Sequence, residues 1–256
     1  MNYSKQLEIL RRHIPIDNTK GIFVAGGALT SIFTKTEIND VDMYFQTKDD
    51  FAAVLETLVD AGYFVTFLSN KAVTLVKGNE TVQLIYYKYF NSVEDIFNEF
   101  DFSINMAAFD GNTNEIILHE NFLTSLASRT IEFNENTPYP IISAYRTKKY
   151  QERGYSFSTH SYIKLGLAIS KLNITSWEEF ENQVGGIYGD INLKQFEQDV
   201  PEFNLDYAIE NLDKLVDVSK GNETVYREDI LEKTGVVIDD WRIVTRKDNN
   251  MFSLPF

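Results

Sequence analysis

Apolar and polar positions alternate with two different periods along this chain, and the period switches from segment to segment. Residues 3–13 (YSKQLEILRRH) have the spacing of a short amphipathic helix. GIFVA is an apolar run of strand length, and a double glycine, Gly26 and Gly27, follows it. GALTSIF then reads as a helix that starts at the glycine pair. DVDMYFQ alternates, which puts Val41, Met43 and Phe45 on one face of a strand and Asp40 and Asp42 on the other. In DDFAAVLETLVDAGY, Phe51, Val54, Leu55, Leu58 and Val59 form one helical stripe. Gly62 marks its end. YFVTFLSN, AVTLVKGN and TVQLIYYKY follow as strands, with KGNE (77–80) as a hairpin turn.

This succession predicts an α+β fold, a mixed sheet with helices on one face. The pattern changes after EIILHE. Helical spacing dominates from about Asn121 onward, at 140–153, 159–171, 176–184, 205–217 and 226–233. The polar, proline-containing NENTPYP sets a boundary that divides the chain into 1–136 and a mainly helical 137–256. VGGIYGD (184–190) reads as a loop, and the tail VIDDWRIVTRKDNNMFSLPF ends in an apolar stretch.

Composition narrows the classes. Hydrophobic residues make up 43%, enough for a core. No apolar run reaches the ~20 residues of a membrane helix, and the first residues lack a signal peptide's apolar block. The absence of cysteine removes disulfides and thiolate metal sites and fits a reducing, cytoplasmic setting. His13, His119 and His160 have no metal-site spacing. A net charge of −14 argues against a surface that binds nucleic acid all over. Residues 145–171 depart from that balance, with 6 basic side chains against 1 acidic and several tyrosines. Such a stretch suits phosphates and bases.

The candidate chemistry lies in residues 21–45. Glycines at a strand-to-helix turn let the backbone approach a ligand closely. The helix start offers free N–H groups and a positive dipole end to a phosphate. Two aspartates on one strand face supply oxygen ligands for a hard cation, which substrate phosphates would complete. Aspartate is disfavoured within strands, so a pair of them needs a reason.

GGALTSIFTKTEINDVDM resembles the signature of the DNA polymerase β-like nucleotidyltransferase superfamily, in which a GG or GS turn and a helix precede hDhDh. It is most similar to the head domain of CCA-adding enzymes and bacterial poly(A) polymerases, whose first motif runs GGxVRDxLLGxxPxDIDI. FDFSINMAAFD (100–110) resembles that family's RDFTINALA segment, and PIISAYRTKKYQERGYSF falls where the family has EDPLRILRAIRFAARLGF. The chain is also similar to nucleotidyltransferase-like proteins of tailed phages, which implies a virus-encoded protein in a host cytoplasm.

The resemblance implies a palm domain at 1–136 and a helical domain at 137–256. It implies a template-independent nucleotidyltransferase that moves NMP from a nucleoside triphosphate to an acceptor hydroxyl, an RNA or tRNA 3′ end, with pyrophosphate leaving. Asp40 and Asp42 would hold Mg²⁺ or Mn²⁺. Gly26, Gly27, Thr30, Ser31, Asn105, Arg146 and Lys149 would bind the nucleotide; Arg146, Lys148, Lys149 and Arg153 would hold acceptor phosphates. The departures are specific. Thr30 and Ser31 stand in place of an Arg-Asp pair, and Phe100 in place of an arginine. Pro138, Tyr139 and Ile142 replace the EDxxR group that pairs with the incoming base. Where the superfamily often has a third carboxylate the best candidate is Gln83, with Asp101 as a substitute acid. An inactive nucleotide- or nucleic-acid-binding module of the same fold is the alternative.

Overall fold

The computed structural model describes residues 3–184, 200, 202–213 and 225–238. VGGIYGD beyond Val184, the end of the 205–217 helix and the tail beyond Ile238 lie outside them. The elements run α1 (Ser4–Arg11), β1 (Ile22–Ala25), α2 (Gly27–Thr34), β2 (Val41–Phe45), α3 (Lys48–Asp60), β3 (Phe64–Leu68), β4 (Ala72–Lys77), β5 (Glu80–Ile85), α4 (Val93–Glu99), β6 (Ala107–Asp110) and β7 (Glu115–Leu118). After them come α5 (Phe122–Ser128), β8 (Thr130–Ile131), α6 (Pro140–Glu152), β9 (Ser156–Phe157), α7 (Thr159–Ser170) and α8 (Trp177–Val184). The last two described helices are α9 (Leu205–Glu210) and α10 (Arg227–Thr234).

Seven strands form one mixed sheet in the order β3-β4-β5-β2-β1-β6-β7. β2 runs parallel to β5, with Asp42 opposite Gln83, and antiparallel to β1. The alternation expected for β2 is present. Val41, Met43 and Phe45 are buried in a cluster with Leu29 and Ile32 of α2 and Phe51, Leu55 and Leu58 of α3. Tyr44 points to the opposite face, where Val93, Ile96 and Phe97 of α4 cover it. Helices therefore flank the sheet on both faces. The one-face expectation missed α4, a seven-residue helix. Such a short helix owes its stability to burial, not to a long periodic pattern.

Local signals set the boundaries. Thr47 accepts the Asp50 N–H at 3.1 Å while Asp50 Oδ2 accepts the Thr47 N–H at 3.0 Å, a capping box that starts α3. The β4–β5 hairpin closes through a two-residue turn between paired Lys77 and Glu80. Beyond the sheet, Phe102, Ile104, Ile131 and Phe133 share a buried cluster with Tyr150, Phe157 and Leu165. β8 pairs with β9, so both that cluster and a backbone pairing link the chain on the two sides of 136/137. Ile142 of α6 packs with Trp177, Phe180 and Ala208 in a helical cluster. α6 is thereby held on one side by the 102–104 segment and on the other by α8 and α9.

Candidate active site

β1 delivers the chain to Gly26, whose φ of 89° and ψ of −136° suit glycine alone. A Cβ there would lie 3.6 Å from Asp42 Oδ2 and 3.7 Å from the Phe100 ring, so the turn sits directly against the carboxylate. The N–H of Gly26 donates to the Ala107 carbonyl at 3.2 Å. It is a sheet bond, and the expectation that this N–H faces a phosphate is corrected. The open donors are those of the first turn of α2, beginning with Gly27, which a helix leaves unpaired. A Cβ on Gly27 would meet nothing within 4 Å. Asp40 lies one residue before β2 starts, and Asp42 is on the strand.

Asp42 is part-exposed as a residue, yet its Oδ1 is sealed from solvent without a hydrogen-bond partner. Burial first, and the neighbouring Asp40 second, push its carboxyl up to about 8; Arg146 and Lys149 pull the other way. A carboxyl in this state favours gaining a proton or a cation. Asp101 is also raised by burial, opposed chiefly by Arg146. Arg146 Nη1 lies 2.9 Å from Asp101 Oδ2, an ion pair whose angle is not that of a hydrogen bond. Burial, then Arg146 and Arg153, lower the Lys149 ammonium.

α6 faces this cluster. Arg146, Lys149 and Arg153 are spaced to share one helical face and surround the buried Tyr150 ring, 5.9–6.0 Å from its centroid. The Tyr150 hydroxyl accepts from Asn105 Nδ2 at 2.8 Å and from Arg146 Nη2 at 3.3 Å. Between α2, β2 and α6 lies a cavity of about 650 Å³. Gly26, Gly27, Thr30, Ser31, Asp40, Asp42, Asn105, Arg146, Lys149 and Arg153 all line it.

Some expected residues are placed otherwise. Lys148 is exposed and is not in the cavity wall. Thr30 Oγ1 donates to the Ile104 carbonyl at 2.6 Å and so braces α2 against the 103–105 turn. Gln83 stands beside Asp42 in the sheet, but its Nε2 donates to Thr74 Oγ1 at 3.2 Å. Tyr139 and Tyr155 also line this cavity, and the pattern missed Lys71, Tyr87, Glu99 and Arg129, which do so too. They come from separate loops and helix ends that only the tertiary fold brings together. A second cavity of about 580 Å³ shares Ser31, Thr36, Glu37, Asn39 and Asp40 with the first.

The carboxylate pair fits a hard divalent cation. It presents oxygen donors, one of them a buried oxygen with nothing to satisfy it. Among the described residues no set of three His, Asp or Glu side chains could hold a metal by itself. Phosphate and water oxygens would have to complete the shell.

A model of the Gabija anti-defense 2 family matches residues 2–129, half of the chain. The chain belongs to the Gabija anti-defense 2 family. The protein called Gabija anti-defense 2 of Bacillus phage SPbetaL7 is 39% identical to it over 194 residues, 75% of this chain and 48% of that protein. The chain thus spans about half the length of this curated family member. Among solved structures, a Thermotoga maritima CCA-adding enzyme complexed with tRNA-CCA aligns with 91% of this chain and 72% of its own, at a TM-score of 0.51 and 14% identity. A tRNA-processing enzyme in apo form aligns with 82% of this chain and 56% of its own, at a TM-score of 0.48 and 15% identity. This Gabija anti-defense 2 family chain has the α+β nucleotidyltransferase fold of CCA-adding enzymes, as its glycine turn and DVD suggested.

Proposed function

We propose that the chain is a metal-dependent nucleotidyltransferase that moves NMP from a nucleoside triphosphate to an acceptor hydroxyl. One juxtaposition carries this reading. Asp40, Asp42 and the first turn of α2 face the basic side of α6 across a single cavity. The first-turn N–H groups of α2 would cradle a phosphate of the triphosphate. Arg146, Lys149 and Arg153 would neutralise the remaining phosphate charge and stabilise the leaving pyrophosphate. Asp40 and Asp42 would hold Mg²⁺ or Mn²⁺. Bound there, such an ion supplies Lewis-acid polarisation of the α-phosphoryl group and lowers the proton affinity of the attacking hydroxyl. The second cavity, which also has Asp40 in its wall, would offer the acceptor a place beside that point.

The acceptor first in line is an RNA 3′ end, tRNA included, because a solved structure with this fold is a CCA-adding enzyme complexed with tRNA. The name of the Bacillus phage relative assigns it an action against a defence called Gabija. We infer that nucleotide transfer by this chain serves such an action in a host cytoplasm. No described helix is long and apolar enough to cross a membrane.

The test is transfer of labelled NMP to total RNA and to host protein, with Mg²⁺ or Mn²⁺. Wild type is expected to label an acceptor and release pyrophosphate, and Asp40→Ala/Asp42→Ala to do neither. Label that persists in the double variant sinks the assignment. Two observations favour the inactive-module alternative. The residue beside Asp42 on β5 is the neutral Gln83, and Asp101 is committed to Arg146. Nucleotide binding without transfer to any acceptor would select that reading.

A further inference from the structure

The cavity has two unlike ends. One holds the carboxylates, the start of α2 and the basic residues of α6. At the other, Lys71 Nζ lies 4.9 Å from the Tyr139 ring centroid and 5.8 Å from that of Tyr87. The Tyr87 hydroxyl donates to Glu99 Oε2 at 3.4 Å, and Glu99 pairs with Lys88. Lys71, Tyr87, Glu99 and Tyr139 are all in the cavity wall. Burial, with Glu99 as a smaller cause, raises the Tyr139 hydroxyl, which keeps this ring neutral at ordinary pH.

Two elements fix the separation of the ends. Tyr87 lies four residues past Gln83, the register partner of Asp42. That places it up to ~13 Å along the strand direction. The Tyr86 and Tyr87 N–H groups both donate to the Lys71 carbonyl, at 2.9 and 3.3 Å, which pins Lys71 at the same level. On the opposite wall, Tyr139 caps the start of α6, and Arg146 follows about 10 Å along the axis at 1.5 Å per residue. Between the ends, Tyr44 and Phe100 meet edge to face, 6.0 Å apart, and line the cavity. Both walls thus lead from the carboxylates and the cations around Tyr150 to the cluster of Tyr87, Tyr139, Lys71 and Glu99 over the reach of a nucleoside phosphate.

The geometry points to Tyr87, Tyr139, Lys71 and Glu99 as the nucleobase-binding end of this cavity, with Tyr139 as the stacking platform and Lys71 as the donor that reads the base edge. A neutral ring offers a face to any base, and base–aromatic stacking is tolerant of sequence. Discrimination needs directional partners. The Lys71 ammonium can only donate and the Glu99 carboxylate only accepts, so the pair can address the acceptors and the N–H groups of one base edge. The inference rests on the nucleotidyltransferase reading, since it assumes that a triphosphate occupies the charged end.

The experiment compares binding of ATP, GTP, CTP, UTP and inorganic tripolyphosphate to the full chain with Mg²⁺, by calorimetry. Wild type should bind at least one NTP more tightly than tripolyphosphate. Tyr139→Ala should weaken that NTP about tenfold or more while leaving tripolyphosphate unchanged. Tyr139→Phe should restore it. Lys71→Ala should flatten the ranking of the four NTPs. The inference is overturned if tripolyphosphate binds as tightly as every NTP. It is also overturned if Tyr139→Ala and Lys71→Ala bind as wild type, or if tripolyphosphate affinity falls in step with NTP affinity. Selective NTP binding without transfer would leave the base end standing and remove the proposed reaction, so the two readings fail separately.

Discussion

At the scale of single residues, Asp42 joins sequence, energetics and chemistry. Its sealed Oδ1 and the adjacent Asp40 keep its carboxyl near 8. A folded value above the unfolded one means that folding favours the protonated form. That contribution is fully present below the unfolded value of 3.8 and is lost as pH rises through about 8. Without a divalent ion, thermal melts should therefore show the melting temperature falling between about pH 4 and 8, and Mg²⁺ or Mn²⁺ should raise it most at the upper end. Asp42→Asn should abolish the slope and the metal response together; a metal response that survives in this variant would detach the cation from Asp42. Gly26→Ala gives a second residue-scale expectation. At a φ of 89° an alanine should cost about 1–3 kcal/mol in chemical denaturation through backbone strain alone, since its Cβ would make only ordinary contact with Asp42. Both aspartates and the glycine were legible in the sequence: Asp42 is an aspartate within a strand, Asp40 precedes it by two on the same alternation, and Gly26 opens a double glycine between an apolar run and a helix. Lys71 and Arg129 carry no such mark, and no local pattern could have assigned them to the cavity.

At the scale of elements, α6 shows what charge along a sequence can and cannot say. The basic stretch was visible, yet Arg146, Lys148, Lys149 and Arg153 within it do not act alike. Helical spacing turns Arg146, Lys149 and Arg153 to the cavity and leaves Lys148 in solvent. Arg146→Ala should weaken nucleotide binding about tenfold or more, the scale of a lost charge-assisted contact. It should also cost ~1–3 kcal/mol of stability, because Asp101 stays buried; the part-exposure of Arg146 moderates the loss. Lys148→Ala should change either quantity less than twofold or within ~0.5 kcal/mol. Titration calorimetry and urea melts on both variants distinguish them. The strands β1 to β5 followed from short apolar runs and alternation bounded by turn residues, but their order did not. The sheet places β2 between β5 and β1, and such non-local pairings carry no local mark. β6 (AAFD) escaped as a strand because its two alanines lack the β-branched signature.

At the scale of the molecule, charge limits how an acceptor reaches the site. The chain carries 38 acidic against 24 basic residues, while three cations of α6, with Lys71 and Arg129, converge on one cavity. An acidic body repels a long polyanion, and each phosphate neutralised by a cation adds to the salt dependence of binding. An RNA would therefore be gripped at its end and not along its length. If the acceptor is a 3′ end, a short oligonucleotide of that end should compete for transfer about as well as the full RNA. The logarithm of its affinity should fall with the logarithm of salt at a shallow slope, set by a few phosphates. Competition assays between about 50 and 200 mM salt measure both. A full-length RNA that binds far better than its end, with a steep salt slope, would require a basic surface outside this cavity. The curated relative is about twice the length that aligns here, so the same assay on that longer protein would show whether its additional length supplies the missing grip.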